Sequence, residues 1–229
     1  QLFGALAIIL SLLPIIAIDY WWVRMFDFPH IQLTILTFVA IVVFFMRFDI
    51  KQPKDYFFVV IMIGCFIFQF TKIYPYMPFA PHKVLPSSIN ASEKSIKLYT
   101  ANVYQKNKDT QKLIDDLRAK DADILLFVET NTRWQQAIRE GLPKAYKYNV
   151  EVPLDNTYGM LLYSKFELID PVVKYLVDDS IPSIHTKFVI AAGDTIQLYN
   201  IHPTPPMPQH NPTSSDRDAE MMKIANLSR

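Results

Sequence analysis

Three polar residues in this sequence stand at the ends of runs that read as β-strands. Asn102 ends the run Tyr99–Asn102, Glu129 follows the apolar run Ile124–Val128, and His202 follows Leu198–Ile201. Ligands and catalytic groups commonly gather at strand ends. A carboxylate after five apolar residues is costly to bury unless it is paired or binds a metal. The three residues are therefore candidates for metal-assisted chemistry.

Each of these residues also has an ordinary structural interpretation, which the sequence leaves open. Asn102 could be a turn residue, and His202 a structural or surface histidine. Glu129 could be an acid in the first turn of a helix, where the helix dipole favours negative charge. Their order along one chain is what makes the functional interpretation worth testing.

The elements before and after Glu129 follow from hydrophobic periodicity. Alternating side chains predict a strand over 96–103, and the nearly continuous apolar run 123–128 predicts a strand buried on both faces. Two helices are predicted: one capped by Asp109 or Thr110, and one capped by Thr130 or Asn131 that stops near Gly141.

The last third of the chain turns to strands. A strand is predicted over Tyr158–Tyr163, and a hairpin over Ile184–Ile190 and Thr195–Ile201 with Gly193 and Asp194 in its turn. After a proline-rich loop, Ser215 and Asp218 match a capping box that opens a further helix. The fold class predicted is α/β (α+β), with a mixed or mainly antiparallel sheet.

The first 74 residues carry three apolar runs: Leu2–Ile18, Phe28–Met46 and Tyr56–Thr71. A membrane span needs about 20 apolar residues. We therefore predict a membrane region at 1–74 with about three transmembrane helices, and the lipid bilayer as a partner. The alternative is a set of buried core helices in a soluble protein. A cleavable signal peptide would explain only the first run.

A proline-rich linker is predicted over 75–95, because closely spaced prolines favour extended chain. The prolines are Pro75, Pro78, Pro81 and Pro86. Arg47, Lys51 and Lys54 lie between the second and third runs, and basic loops favour the cytoplasm. The soluble part would then be extracytoplasmic in a multi-pass integral membrane protein, although Lys72 and Lys83 argue the other way.

Charge and cysteine content narrow the function only slightly. Lys and Arg number 23 against 22 Asp and Glu, for a net charge of +1. No basic surface for nucleic acid is evident, but a nucleic-acid substrate read in a small cleft stays possible. The single cysteine, Cys65, cannot form an internal disulfide.

Four stretches in order resemble the endonuclease/exonuclease/phosphatase (DNase I-like) superfamily. They are Leu98–Val103, Asp121–Thr130, Tyr158–Ser164 and Leu198–Pro203, and the resemblance covers 96–229. It implies a four-layer α/β sandwich of which 96–229 is the N-terminal part, with Mg²⁺ or Mn²⁺ as cofactor. Carried over, Glu129 is the metal ligand, Asn102 helps to hold metal and phosphate, and His202 faces the scissile phosphate.

Two motifs that the resemblance requires do not occur in the sequence: a later Gly-Asp-x-Asn and a terminal Asp-His. Gly193-Asp194 continues as Thr195-Ile196, and Ser215-Asp216 continues as Arg217. We therefore expect a C-terminally truncated chain that carries half of a metal site and is inactive alone. Missing strands would leave a sheet edge unpaired.

The leading hypothesis is a membrane-anchored, metal-dependent phosphoester (phosphodiester) hydrolase. Its substrate could be a nucleic acid, a lipid headgroup or an inositol phosphate, and no protein partner is predicted. The alternative is a non-catalytic, membrane-tethered binding module that keeps the fold without the chemistry. A transport or channel subunit is disfavoured, because the apolar runs contain no charged residue to mark an ion path.

Overall fold

The computed structural model describes residues 1–16, 18–82, 95–208 and 211–228. Two compact units are present: 1–87 with 205–215, and 88–204 with 216–229. The predicted linker at 75–95 falls mainly on residues outside the described ranges, and the predicted domain boundaries stay predictions.

Apolar helices make up the first unit. They are α1 (Leu2–Leu12), α2 (Trp21–Arg24), α3 (His30–Phe45) and α4 (Pro53–Ile73). Within the described ranges, one helix, Pro53–Tyr76 with its 3₁₀ end, is long and apolar enough to cross a membrane. A second candidate exists only if Trp21–Asp27 and His30–Phe45, which are bent by 79°, form one broken span.

The prediction of three complete spans is therefore not supported. Helix α3 has 16 residues, a rise of about 24 Å against the roughly 30 Å of a bilayer core. Prolines explain the shortfall, since they lack a backbone donor and sit at helix ends. Pro29 is the N-cap of α3, and Pro14 lies in the 3₁₀ turn that follows α1.

A segment from late in the chain belongs to this first unit. Within it, Tyr20 and Thr213 form an antiparallel bridge. The backbone N–H of Trp21 donates to the carbonyl of Pro212 at 2.8 Å, and that of Ser214 to the carbonyl of Asp19 at 2.9 Å. The proline-rich loop after His202 is thus partly ordered by backbone pairing with the turn that precedes α2.

The described residues of the second unit form two sheets and three helices. The strands are β1 (Leu98–Asn102), β2 (Ile124–Val128), β3 (Tyr148–Val152), β4 (Met160–Ser164), β5 (Ile169–Tyr175), β6 (Pro182–Val189) and β7 (Thr195–Asn200). The helices are α5 (Gln111–Lys120), α6 (Thr132–Gly141) and α7 (Ser215–Leu227). One sheet has the order β1-β2-β4-β3, with β1 parallel to β2 and the other pairs antiparallel; the second is antiparallel, β5-β6-β7. The mixed α/β class is therefore confirmed.

Two apolar layers position the strand ends. Phe127 and Leu161 pack with Trp134 and Ile138 of α6 on one face of the first sheet. On the other face, the side chains of β2 and β4 pack with those of β6, including Phe188. Strand β2 is buried from both sides, as its unbroken apolar sequence predicts.

Strands β3 and β5 were missed by sequence reasoning. Asn149 and Glu151 interrupt the apolar pattern of β3, and β5 contains Pro171. Asp170 adopts φ 48°, and the pairing of β5 with β6 shifts register between Ile169 and Val172. Such a bulge absorbs the proline without disrupting the sheet.

Glu151 of β3 joins α6 to the first sheet. Its side chain is 8% exposed and pairs with Arg139, while Gln135 and the Tyr163 hydroxyl also donate to it. Burial raises the pKa of Glu151, but the donated hydrogen bonds outweigh burial and leave that pKa below its ordinary value. The ionised carboxylate thus holds α6, the helix that follows Glu129, against β3 and β4.

Replacing Glu151 by glutamine should weaken β3 and β4, by about 1–3 kcal/mol at neutral pH. Because the folded-state pKa is lowered, the carboxylate stabilises the fold above its unfolded pKa of about 4.3. That contribution disappears as the pH falls through the folded-state pKa. Hydrogen exchange of β3 and β4 should therefore show wild type and Glu151→Gln converging in acid. A difference that stays constant from neutral to acidic pH would contradict this account.

Candidate active site

Asn102 and Glu129 meet at one edge of the first sheet. Strands β1 and β2 are parallel and in register from Leu98 opposite Ile124 to Asn102 opposite Val128. Their carboxyl ends therefore lie side by side. Asn102 Nδ2 donates to Glu129 Oε1 at 2.6 Å, and Asn102 Oδ1 accepts from the backbone N–H of Tyr104 at 3.0 Å.

Glu129 sits in a left-handed backbone conformation, with φ 61°. This region is uncommon for a residue with a side chain, and such strain persists only where the surroundings impose it. The next residue supplies that constraint: Thr130 N donates to the Gly159 carbonyl at 3.1 Å, and its own carbonyl accepts from Leu154 N at 3.0 Å. Asn131 then caps α6 by accepting from Trp134 N. The Glu129 carboxylate is thus aimed by fixed backbone on both sides.

Gly159 makes this arrangement possible. A Cβ atom at that position would lie 1.7 Å from the Thr130 carbonyl oxygen and 2.6 Å from the Leu154 nitrogen. Only glycine allows the chain before β4 to approach the residue after Glu129 so closely. The glycine therefore belongs to the support of the site.

His202 lies two residues after β7, and its ring packs against Tyr158 with centroids 5.7 Å apart. Burial lowers the pKa of His202 below its ordinary value, and the Glu129 carboxylate opposes that shift by raising the pKa. The imidazole is therefore neutral at pH 7. Asn200, which starts the Asn-x-His stretch, is buried and donates to the Ile184 carbonyl at 3.1 Å, so it anchors β7 to β6.

Removing the Glu129 charge should lower the His202 pKa further, because the carboxylate favours the imidazolium form. The measurement is an NMR titration of the His202 ring in wild type and Glu129→Gln. Glu167→Gln is the matched control, since Glu167 is an exposed glutamate in the same unit. A pKa that stays constant or rises in Glu129→Gln would show that the two groups do not interact.

The residues at this edge fit a hard divalent cation. Within the described ranges, no group of three His, Cys, Asp or Glu side chains converges. Mg²⁺, however, is commonly held by one or two carboxylates and keeps several waters. Glu129 has a second carboxylate oxygen without a hydrogen-bond donor among the described residues, and the carbonyl oxygen of Asn102 retains a lone pair.

The structure brings the three predicted residues together. Asn102 contacts Glu129 directly, and His202 packs on Tyr158, whose neighbour Gly159 accepts from the backbone N–H of Thr130, the residue after Glu129. Their catalytic and metal-binding roles stay predictions. Tyr158 and Gly159 were not among the predicted site residues; a glycine inside the predicted strand Tyr158–Tyr163 was the available signal for a close backbone approach.

The profile of the endonuclease/exonuclease/phosphatase family matches residues 99–229. The chain belongs to this family. The predicted resemblance is thereby confirmed for the second part of the chain, and the family name describes enzymes that cleave phosphoester bonds. No curated protein matches the sequence significantly.

Several solved structures are similar to the family domain. A humanised D. rerio TDP2 carrying 14 mutations is 12% identical, with a TM-score of 0.48, covering 56% of this chain and 54% of its own. An endonuclease/exonuclease/phosphatase from Bacteroides vulgatus is 19% identical, with a TM-score of 0.47 and coverages of 57% and 59%. Truncated Caenorhabditis elegans TDP2 is 14% identical, with a TM-score of 0.44 and coverages of 57% and 55%. The chain thus spans a little over half the length of these structures.

Proposed function

We propose that the whole protein is a membrane-anchored, metal-dependent phosphoester hydrolase that acts on phosphodiesters. The observation that carries this proposal is the Asn102–Glu129 pair at the sheet edge of an endonuclease/exonuclease/phosphatase domain. The left-handed backbone of Glu129 costs stability, and such strain is typical of active sites. A carboxylate next to a histidine with a shifted pKa is likewise typical of functional sites.

The chain's own residues divide the work as follows. Glu129 and Asn102 would hold Mg²⁺ or Mn²⁺, with Asn102 also fixing the rotamer of Glu129 through its amide. The bound ion would supply polarisation of the phosphoryl oxygen and neutralise developing charge. His202, neutral at pH 7, can accept a proton or, once protonated, stabilise the charge of the phosphate. Tyr158 packs against the imidazole and limits its orientation.

The apolar surface of the first unit supports membrane placement. Phe57, Val60 and Ile67 of α4 are 70%, 66% and 56% exposed, and only 28% of the apolar window of this helix is buried. A soluble protein rarely exposes such a continuous apolar patch. Helices α1 and α3 pack on α4 through Ala7, Ala40 and Met62. We propose that all three share the bilayer in a multi-pass arrangement, with the family domain extracytoplasmic.

Hydrolysis of bis(p-nitrophenyl) phosphate by the whole protein tests the proposed function without assuming a natural substrate. Nucleic acid, lipid headgroup and inositol phosphate all stay possible. Activity should be lost with EDTA and restored by Mg²⁺ or Mn²⁺. Residues 1–229 alone should not turn over, because Gly-Asp-x-Asn and Asp-His do not occur in this sequence. If the whole protein shows no metal-dependent turnover, the alternative of a non-catalytic binding module is favoured.

A further inference from the structure

A cavity of about 360 Å³ lies in the helical unit, where the start of α3 meets the end of α4. Its polar lining comes from Asp27, His30 and Lys72, and its apolar lining includes Ile31, Ile73 and Met77. The cavity thus combines charged groups at a helix end with walls made of aliphatic side chains. None of these residues takes part in the candidate active site.

Lys72 carries the unbalanced charge of this cavity. Its ammonium lies over the Phe68 ring, 5.4 Å from the centroid, and no carboxylate among the described residues lies within ion-pair distance. Asp27, by contrast, is paired at 3.3 Å with Arg24, which also pairs with Asp19 at 3.2 Å. The cavity therefore presents a cation that is free to bind an anion.

His30 is fixed by a buried hydrogen-bond chain. Gln69, which is fully buried, donates from Nε2 to the Ser11 carbonyl at 3.0 Å. This carbonyl can only accept, so Gln69 must turn its Oε1 towards His30 Nδ1, 2.7 Å away. His30 Nδ1 is therefore the donor, and Nε2 is the ring nitrogen left for a ligand. The chain links α1, α3 and α4 and holds the imidazole at the cavity.

From this combination we infer that the cavity binds the headgroup of an anionic phospholipid, with the phosphate at Lys72 and a headgroup hydroxyl donating to His30 Nε2. The inference rests on the proposed membrane placement of α4. A lysine near the membrane surface attracts anionic headgroups, and the aliphatic walls suit the first carbons of the acyl chains. Tyr76, 87% exposed beside the cavity, is of the type found at membrane interfaces.

The test is a titration of the full chain in detergent with phosphatidylglycerol, in which native mass spectrometry counts the bound lipid. Lys72→Gln should weaken binding of the first lipid about fivefold, the usual contribution of one lysine near an anionic lipid. Lys72→Arg should retain it. Lys54→Gln is the matched control, because Lys54 is an exposed lysine in the first turn of the same helix.

Several results would overturn the inference: equal binding by wild type and Lys72→Gln, an equal loss in Lys54→Gln, or equal affinity for phosphatidylcholine. Displacement of phosphatidylglycerol by inorganic phosphate would show a phosphate site instead of a lipid site. Flotation of the chain with phosphatidylcholine vesicles separates the two claims. A chain that fails to float refutes membrane placement, whereas a chain that floats but binds phosphatidylglycerol without dependence on Lys72 refutes only the lipid site. Neither readout depends on hydrolysis.

Discussion

Replacing Glu129 by glutamine is expected to reduce kcat/KM for phosphodiester hydrolysis about a thousandfold. A bound metal ion contributes several kcal/mol of transition-state stabilisation, and each tenfold in rate corresponds to about 1.4 kcal/mol. Glutamine keeps the size of the side chain and an oxygen that can still accept from Asn102 Nδ2. The substitution therefore removes the negative charge with little change in packing. Steady-state kinetics of the whole protein with saturating Mg²⁺ measures the effect.

Two comparisons make the Glu129 result specific. Glu167→Gln should leave kcat/KM unchanged, because Glu167 is exposed and follows Ser164, which pairs with Ile124 at the opposite end of β2 from Glu129. Glu129→Gly should be about 1–2 kcal/mol more stable than Glu129→Ala, because glycine adopts φ 61° without the steric cost of a Cβ. If Glu129→Gln retains wild-type kinetics, Glu129 is not the metal ligand.

Replacing Gly159 by alanine is expected to cost more than about 3 kcal/mol, above the usual range for overpacking. The added Cβ would meet the Thr130 carbonyl oxygen at 1.7 Å, and both the oxygen and its partner, Leu154 N, are backbone atoms. A flexible side chain could move aside, but this backbone is tied to β2 and α6. Any folded molecules should have a displaced Thr130 and hence a misplaced Glu129 carboxylate. The midpoint temperature of thermal unfolding and kcat/KM should therefore both decrease in Gly159→Ala.

Gly193→Ala provides the matched control for this effect. Gly193 has φ 88° in the hairpin turn, and an added Cβ would meet nothing within 4 Å. Backbone strain alone should cost about 1–2 kcal/mol there, with kcat/KM unchanged. Equal losses of stability in the two variants would show that the Thr130 contact does not set the requirement for glycine at 159.

The positions of Asn102 and Glu129 at strand ends were predictable from the local sequence pattern. The run Ile124–Val128 predicted a strand buried on both faces, and parallel pairing with β1 places Asn102 beside Glu129. The left-handed conformation of Glu129 was not predictable, because it depends on the later segment around Gly159 folding back onto Thr130. The contact of Tyr158 with His202 likewise joins residues whose strands lie in different sheets.

The helical unit shows the opposite limit of sequence reasoning. The hydropathy pattern identified all three apolar runs. It gives the length of each run, but it does not show where the helix within that run begins and ends. Pro14 limits α1 and Pro29 limits α3, whereas α4 runs uninterrupted from Pro53 to Ile73. Proline at the first position is compatible with a helix, and proline farther along is not. Apolar length therefore overestimates span length wherever proline lies inside the run.

The most direct test of the central claim is metal binding itself, measured by electron paramagnetic resonance of Mn²⁺ titrated into the whole protein. The account predicts a bound ion in wild type and in Glu167→Gln that is lost in Glu129→Gln. Equal Mn²⁺ affinity in all three proteins would contradict the assignment of Glu129 and, with it, the proposed hydrolase site.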